Sequence, residues 1–182
     1  VAVTGATISL VDKTSLQVVL TASDDVILKG ASIQVAGAIN GLTSDLSIES
    51  GGATVFGALG IGGALAIKSA GAVSQTAAIR TGGVVTIDSA SQAITLSQTA
   101  NQFGGDLNVS GGAVSIRDAS ALKILLKANG ASTVSSGGAL EISGSVGLAS
   151  SSSSLTLIAT GTTTLGSIAV DGALLLTSTG AV

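Results

Sequence analysis

The sequence predicts an all-β fold: a parallel β-helix, or β-solenoid, with about three short strands per coil and coils of roughly 20 residues. Three observations carry this. Apolar and polar residues alternate in short bursts, as in Leu107/Val109, Val114/Ile116 and Leu122/Ile124/Leu126, which is the period of strands with one buried face. Turn-forming pieces separate the bursts, Gly111-Gly112 and Asp118-Ala119-Ser120-Ala121. The whole phrase also occurs twice without a gap, at 1–20 and at 107–126: Val3 meets Val109, Gly5 meets Gly111, Asp12 meets Asp118, Leu16 meets Leu122 and Leu20 meets Leu126. A chain that makes three strands and three corners in so short a stretch, and then does so again, is winding a coil.

The composition fits a narrow, layered core. The 182 residues include 26 Gly and no Pro, Cys, Met, Trp, Tyr or His, and the only aromatics are Phe56 and Phe103. Val, Ile, Leu and Ala must therefore fill the interior. At 46% hydrophobic the chain is too aliphatic to read as disordered. Gly is expected to supply corners with positive φ, and the lack of Pro leaves every backbone donor free for a ladder. A β-sandwich would need hairpin turns, yet Asn-Gly occurs only at Asn40-Gly41 and Asn129-Gly130. At ~4.8 Å per coil, ~9 coils would span ~40 Å.

Taken in order, the strand candidates after Leu20 are Val26-Ile27-Leu28, Ile33/Val35, Ile39 and Leu46/Ile48. Val55, Leu59/Ile61, Leu65/Ile67, Ala78/Ile79, Val85/Ile87 and Ile94/Leu96 follow. Gly30, Gly51-Gly52, Gly57, Gly60 and Gly62-Gly63 punctuate them, and residues 98–103 are the least periodic piece. A second match pairs 51–73 with 160–182, including Gly57 with Gly166, Gly63-Ala64-Leu65 with Gly172-Ala173-Leu174, and Gly71-Ala72-Val73 with Gly180-Ala181-Val182. The offset is 106 at the first match and 109 at the second, which places a three-residue insertion between them, expected in the tract Ser150–Ser154. The chain thus reads as one continuous β-helix segment, 1–182, with a long repeat of about 108 residues. It starts and stops inside a repeat, without the polar caps a monomeric solenoid needs. The expectation is a piece cut from a longer array, with a subunit that stacks end to end as the alternative.

The stretch from Asn101 on, NQFGGDLNVSGGAVSIRDASALKI, resembles the repeats of large bacterial exoproteins of the filamentous haemagglutinin type, exported by two-partner secretion or as autotransporters. The residues that carry the likeness are Asn101, Phe103, Gly104 and Gly105, then Asp118, Ala119, Ala121 and Leu122; Gly71 to Gln75 adds a similar strand-and-corner phrase. The resemblance implies a right-handed parallel β-helix, a secreted or cell-surface location, and roles in adhesion, biofilm matrix or toxin display.

The chemistry expected is structural. A hydrolytic nucleophile needs a base in reach, and the chain has no His or Cys. The ten acids are Asp12, Asp24, Asp25, Asp45, Glu49, Asp88, Asp106, Asp118, Glu141 and Asp171. Most flank strands, where a corner Asp caps backbone groups, so no catalytic residue is expected. Gly104-Gly105-Asp106 and Asp171-Gly172 are only fragments of a calcium-roll phrase, and Asp24-Asp25 is too small a set for a cation that takes six or more oxygens. Asp12, Asp88 and Asp118 each end a strand and are expected to stack on one edge, where an incidental surface cation is the most they could hold. No metal or cofactor is expected. Thr162-Thr163-Thr164 is not repeated coil by coil as an ice-binding array would be. Asn108 of the sequon Asn108-Val109-Ser110 should simply point outward. A net charge of −3 with seven scattered basic residues excludes a nucleic-acid footprint. No apolar run of about eighteen residues offers a membrane span, and two Phe cannot supply the aromatic girdles of a membrane barrel.

The function expected is a stalk or fibre segment of a large secreted bacterial adhesin or matrix protein, giving length and rigidity without a chemical site. The alternative is a self-assembling extracellular filament or sheath subunit; a third reading is a carbohydrate-binding or polysaccharide-cleaving β-helix. The partners expected are adjacent coils or copies of the same protein, end to end or side by side, with any host surface or extracellular polysaccharide contacted through other regions.

Overall fold

A computed structural model describes residues 1–147 and 152–182. Among them the chain is an all-β parallel solenoid of about nine turns, about 19 residues per turn, with two parallel sheets and no helix. The front sheet stacks, in chain order, Ile8–Val11, Val26–Gly30, Leu46–Ser50, Leu65–Ser69, Val85–Asp88, Leu107–Gly111, Leu122–Ala128, Leu140–Val146 and Thr163–Val170. The back sheet stacks Ala2–Gly5, Ser15–Ala22, Ser32–Ile39, Thr54–Ile61, Val73–Gln75, Ile94–Leu96, Val114–Asp118, Ser132–Ser136, Leu155–Ala159 and Leu174–Ser178, joined by the short strands Ile79–Thr81 and Gln102–Phe103. Coil lengths run from 17 residues, between the register partners Leu16 and Ile33, to 24, between Gly144 and Ile168.

Parallel sheets covered on both faces read as unbroken apolar runs. Here each sheet is covered on one face only, and strict alternation results. Leu107 and Val109 are buried, as are Val114, Ile116, Leu122, Ile124 and Leu126. Register then stacks like on like: Leu46, Leu65, Val85, Leu107 and Ile124 form one internal column. Both phenylalanines face inward, Phe56 at 0% exposure between Val35 and Gln75 in register; Val55 beside it is the outward residue.

The three bursts of 107–126 span more than one coil: Leu107 and Val109 are register partners of Ile124 and Leu126 one coil on in the front sheet, with Val114/Ile116 between them in the back sheet. In other coils a third burst is the second arm of one bent strand. Ser32–Ile39 pairs through both arms with Thr54–Ile61, with a bulge between Val35 and Gly37. Thr54–Ile61 then pairs separately with Val73–Gln75 and Ile79–Thr81. Gly37 makes the bend at φ +120°, where an added Cβ would lie 2.0 Å from the Leu20 carbonyl oxygen. A bulge re-aims a strand without ending its pairing.

The long repeat has the same devices. The strand Leu140–Val146 bends at Gly144, φ +123°, with a bulge against Thr163–Val170 between Ile142 and Gly144. These strands lie 107 and 109 residues after Ser32–Ile39 and Thr54–Ile61, but in the other sheet. Every strand of the first copy changes sheets in the second: Ser15–Ala22 is in the back and Leu122–Ala128 in the front, while Leu46–Ser50 is in the front and Leu155–Ala159 in the back. The repeat is therefore five and a half coils: five steps along the back sheet from Ser15–Ala22 to Val114–Asp118, then half a turn. Register also divides the insertion. The offset rises by one at the corner holding Gly137 and Gly138, between Ser132–Ser136 and Leu140–Val146, and by two between Val146 and Leu155. That second interval contains the expected Ser150–Ser154 tract, of which Ser150 and Ser151 lie outside the described residues.

The corner glycines do not take the expected positive φ: among the described residues the glycines that do are Gly37 and Gly144, at the bulges, and Gly147. Corners need glycine for close approach instead; a Cβ at Gly62 would lie 1.9 Å from the Gly41 carbonyl oxygen of the coil below. Corners also use buried hydroxyls. Ser50 and Ser69 are register partners and Ser89 directly follows the next strand of the sheet, all three buried. Ser50 and Ser69 donate to the Gly52 carbonyl at 3.0 and 2.7 Å, and Ser89 to the Gln92 carbonyl at 2.6 Å. Most buried polar groups are so paired; the buried hydroxyls of Thr81 and Thr163 have no hydrogen-bond partner among the described residues.

Candidate functional site

Six of the acids cap backbone, as corner carboxylates do. Asp12 and Asp118 hold equivalent turns: the Asp12 Oδ1 accepts from the Thr14 N–H and hydroxyl, both at 2.7 Å, and the Asp118 Oδ1 from the Ser120 N–H and hydroxyl at 2.6 and 2.7 Å. Those bonds from Thr14, the hydroxyl first, hold the Asp12 carboxyl below its ordinary value. Asp118 is buried, and its other oxygen accepts from the Phe103 N–H at 2.7 Å. Asp24 accepts from the Asp25 N–H, Asp25 from the Asp45 N–H, Asp45 from the Ala64 N–H and Asp88 from the Ala90 N–H.

The expected edge of Asp12, Asp88 and Asp118 does not form. Asp88 ends a front-sheet strand and faces out, four coils on from Val11, whereas Asp118 ends a back-sheet strand and faces in. The half-turn in the repeat separates them. No group of three or more acids among the described residues could hold a metal ion. Of the threonines, Thr163 faces the core while Thr162 and Thr164 are exposed. Asn108 is half-buried on the outer face, in register between Thr86 and Leu125.

Asn101 is at 0% exposure and plugs the gap between Ile94–Leu96 and Gln102–Phe103. Its Oδ1 accepts from Gln75 Nε2 at 2.8 Å and from the Ile79 N–H at 2.9 Å. Its Nδ2 donates to Gln75 Oε1 at 2.9 Å and to the carbonyls of Leu96 and Arg117 at 3.0 and 3.1 Å. One side chain ties three successive coils together.

The outer face of the front sheet carries what sequence reading missed. Lys29, Glu49, Lys68 and Asp88 are register partners in one exposed column of alternating charge. Lys29 Nζ meets Glu49 at 2.8 Å. Lys29, by hydrogen bond and charge, and then Lys68 hold the Glu49 carboxyl below its ordinary value. A second run, Asp106, Lys123 and Glu141, lies toward the other ends of the front strands; Lys123 Nζ meets Asp106 at 3.2 Å, and both acids raise the lysine. A shallow depression of about 260 Å³ runs beside Glu49, Ser50, Lys68, Ser69 and Asp88. The signal was available: the four charges are spaced by the coil length, and applying that period to polar positions would have aligned them.

Fold and surface together define a β-solenoid repeat protein. Residues 43–110 are similar to a family described as repeats of unknown function (DUF5649). No curated protein and no solved structure matches the chain.

Proposed function

We propose that this chain is a segment of the stalk or fibre of a large secreted bacterial surface protein of the filamentous haemagglutinin type, and that its product is length and stiffness. The observation that carries this is the ladder. Parallel pairing passes from coil to coil along both sheets, so each coil bears on the next through main-chain hydrogen bonds. Such an array is quasi-one-dimensional: its length is the number of coils times ~4.8 Å, and stability accumulates by nearest-neighbour contacts. Six acids serve corners, and Glu49 and Asp106 make outer-face ion pairs, which suits a structural part.

The test is small-angle scattering with electron microscopy on the chain and on a version lengthened by one 108-residue repeat. A thin rod that grows by ~26 Å per repeat is the expected result. A compact particle, or turnover of a polysaccharide by the segment alone, would overturn the reading.

A further inference from the structure

The alternating column has a property that a random set of surface charges lacks. Read from one end it runs Lys29, Glu49, Lys68, Asp88; read from the other the sign at every place is reversed. Consider two copies laid front sheet to front sheet, related by a twofold axis in the interface plane and parallel to the strands, midway between Glu49 and Lys68. The twofold reverses coil order but keeps position along the strand. Lys29 then faces Asp88 of the second copy and Glu49 faces Lys68, so all four contacts are opposite in sign. The flanking members of the column, Val11 and Ser110, face each other without charge. A twofold parallel to the solenoid axis would instead set like against like. The three-member run Asp106, Lys123, Glu141 reads the same in both directions and cannot pair with itself this way.

The rest of the face permits the approach. The neighbouring outward column at the centre is Ser47 and Ala66, both small and exposed, with Ile27 and Thr86 outside them. The Lys29–Glu49 bond and the second cation at Lys68 already hold the Glu49 carboxylate in the column, which lowers the ordering cost of a cross-contact.

We propose that this outer face of the front sheet, from Ile8–Val11 to Leu107–Gly111, is a docking surface for a second copy of the chain, with the two solenoid axes antiparallel. The alternating run is confined to the first copy of the long repeat: Ser135, Ile158 and Thr177 take the places of Lys29, Glu49 and Lys68 in the second. The next charge in the column, Lys127, lies one coil beyond Ser110 and so past the Ile8–Val11 strand of the facing chain. The association is therefore closed at two chains. Its face of about 400 Å² per partner falls in the small, transient class, so it is weak and salt-sensitive. The proposal is independent of whether the segment is a stalk.

Sedimentation velocity on the 182-residue chain over a concentration series tests it, at about 0.01 M and about 1 M salt, where the Debye length falls from roughly 30 to 3 Å. The expected result is a monomer–dimer equilibrium at low salt that reverts to monomer at high salt. Lys68→Glu sets carboxylate against carboxylate at the two central contacts and should weaken the dimer at least about tenfold. The double exchange Glu49→Lys with Lys68→Glu restores opposite signs at those contacts and should return association to near the original, with unchanged circular dichroism in each variant. A chain monomeric at low salt, association that persists at 1 M salt or grows beyond dimers, a Lys68→Glu variant that dimerises as before, or a double exchange that fails to rescue would each overturn it.

Discussion

Asn101 is costly to replace because it satisfies main-chain groups of three coils at once. Removing the amide leaves the Ile79 N–H, the carbonyls of Leu96 and Arg117 and the Gln75 side chain without it, in a place closed to water. Each orphaned group costs about 1–3 kcal/mol. Asn101→Ala should lose roughly 3–5 kcal/mol in denaturant unfolding, with the Ile79 amide exchanging faster with solvent. Gly37 makes a different demand. Its φ of +120° disfavours any side chain, and the Leu20 carbonyl already occupies the space, so Gly37→Ala should cost at least about 2 kcal/mol. Gly60, with open space around its Cα, is the control: Gly60→Ala should be neutral or stabilise by about 0.5 kcal/mol through the unfolded chain. Equal losses at both glycines would show that space at the bulge is not what decides.

At the scale of the strand, what was legible was whatever repeats with period two. Leu107, Val109, Val114 and Ile116 could be placed inside from alternation alone because a one-residue slip would expose them all. The bend at Gly37 was not legible, since a bulged strand keeps its pairing and its apolar pattern on both arms. Nor was the network of Asn101: the resemblance marked the residue, but its partners Gln75 and Arg117 come from the coils on either side. The charge columns belong to this scale too. Glu49 and Asp12 have folded values below the ordinary 4.5 and 3.8, so they favour the fold above those values and lose that contribution as pH falls through the lower ones. Lys123 has a folded value above the ordinary 10.5; its contribution is present below that and is lost as pH rises through the higher one. Melting temperature should therefore be level through neutral pH and fall at both extremes. Glu49→Gln should make the acid limb shallower and leave the alkaline limb unchanged. High salt should shrink the lysine-dependent parts and spare the Thr14 hydrogen bonds to Asp12. An alkaline limb that moves with Glu49→Gln would contradict the assignment.

For the whole molecule, the half-turn in the long repeat decides which surfaces recur on which side. A repeat of whole coils would present each feature in a line along one face. A repeat of five and a half coils presents it on alternate faces, so that equivalent outward residues such as Gln17 and Lys123 stand on opposite sheets. This follows from register, and spin labels measure it. Gln17 and Ser115 share one outward column of the back sheet, five coils apart, so labels there should be separated by ~24 Å along the axis. Labels at Gln17 and Lys123 are only half a coil further apart along the axis, ~26 Å, but must also span both sheets, which pack about 10 Å apart before the side chains are counted. Pulsed dipolar spectroscopy should give a clearly longer distance for the second pair than the half-coil increment alone allows. Equal distances would put both sites on one face and make the repeat a whole number of coils. Where the longer distance holds, the motifs kept in both copies, such as the turns held by Asp12 and Asp118, stand on opposite faces, whereas the charge column, which the second copy lacks, marks one face alone.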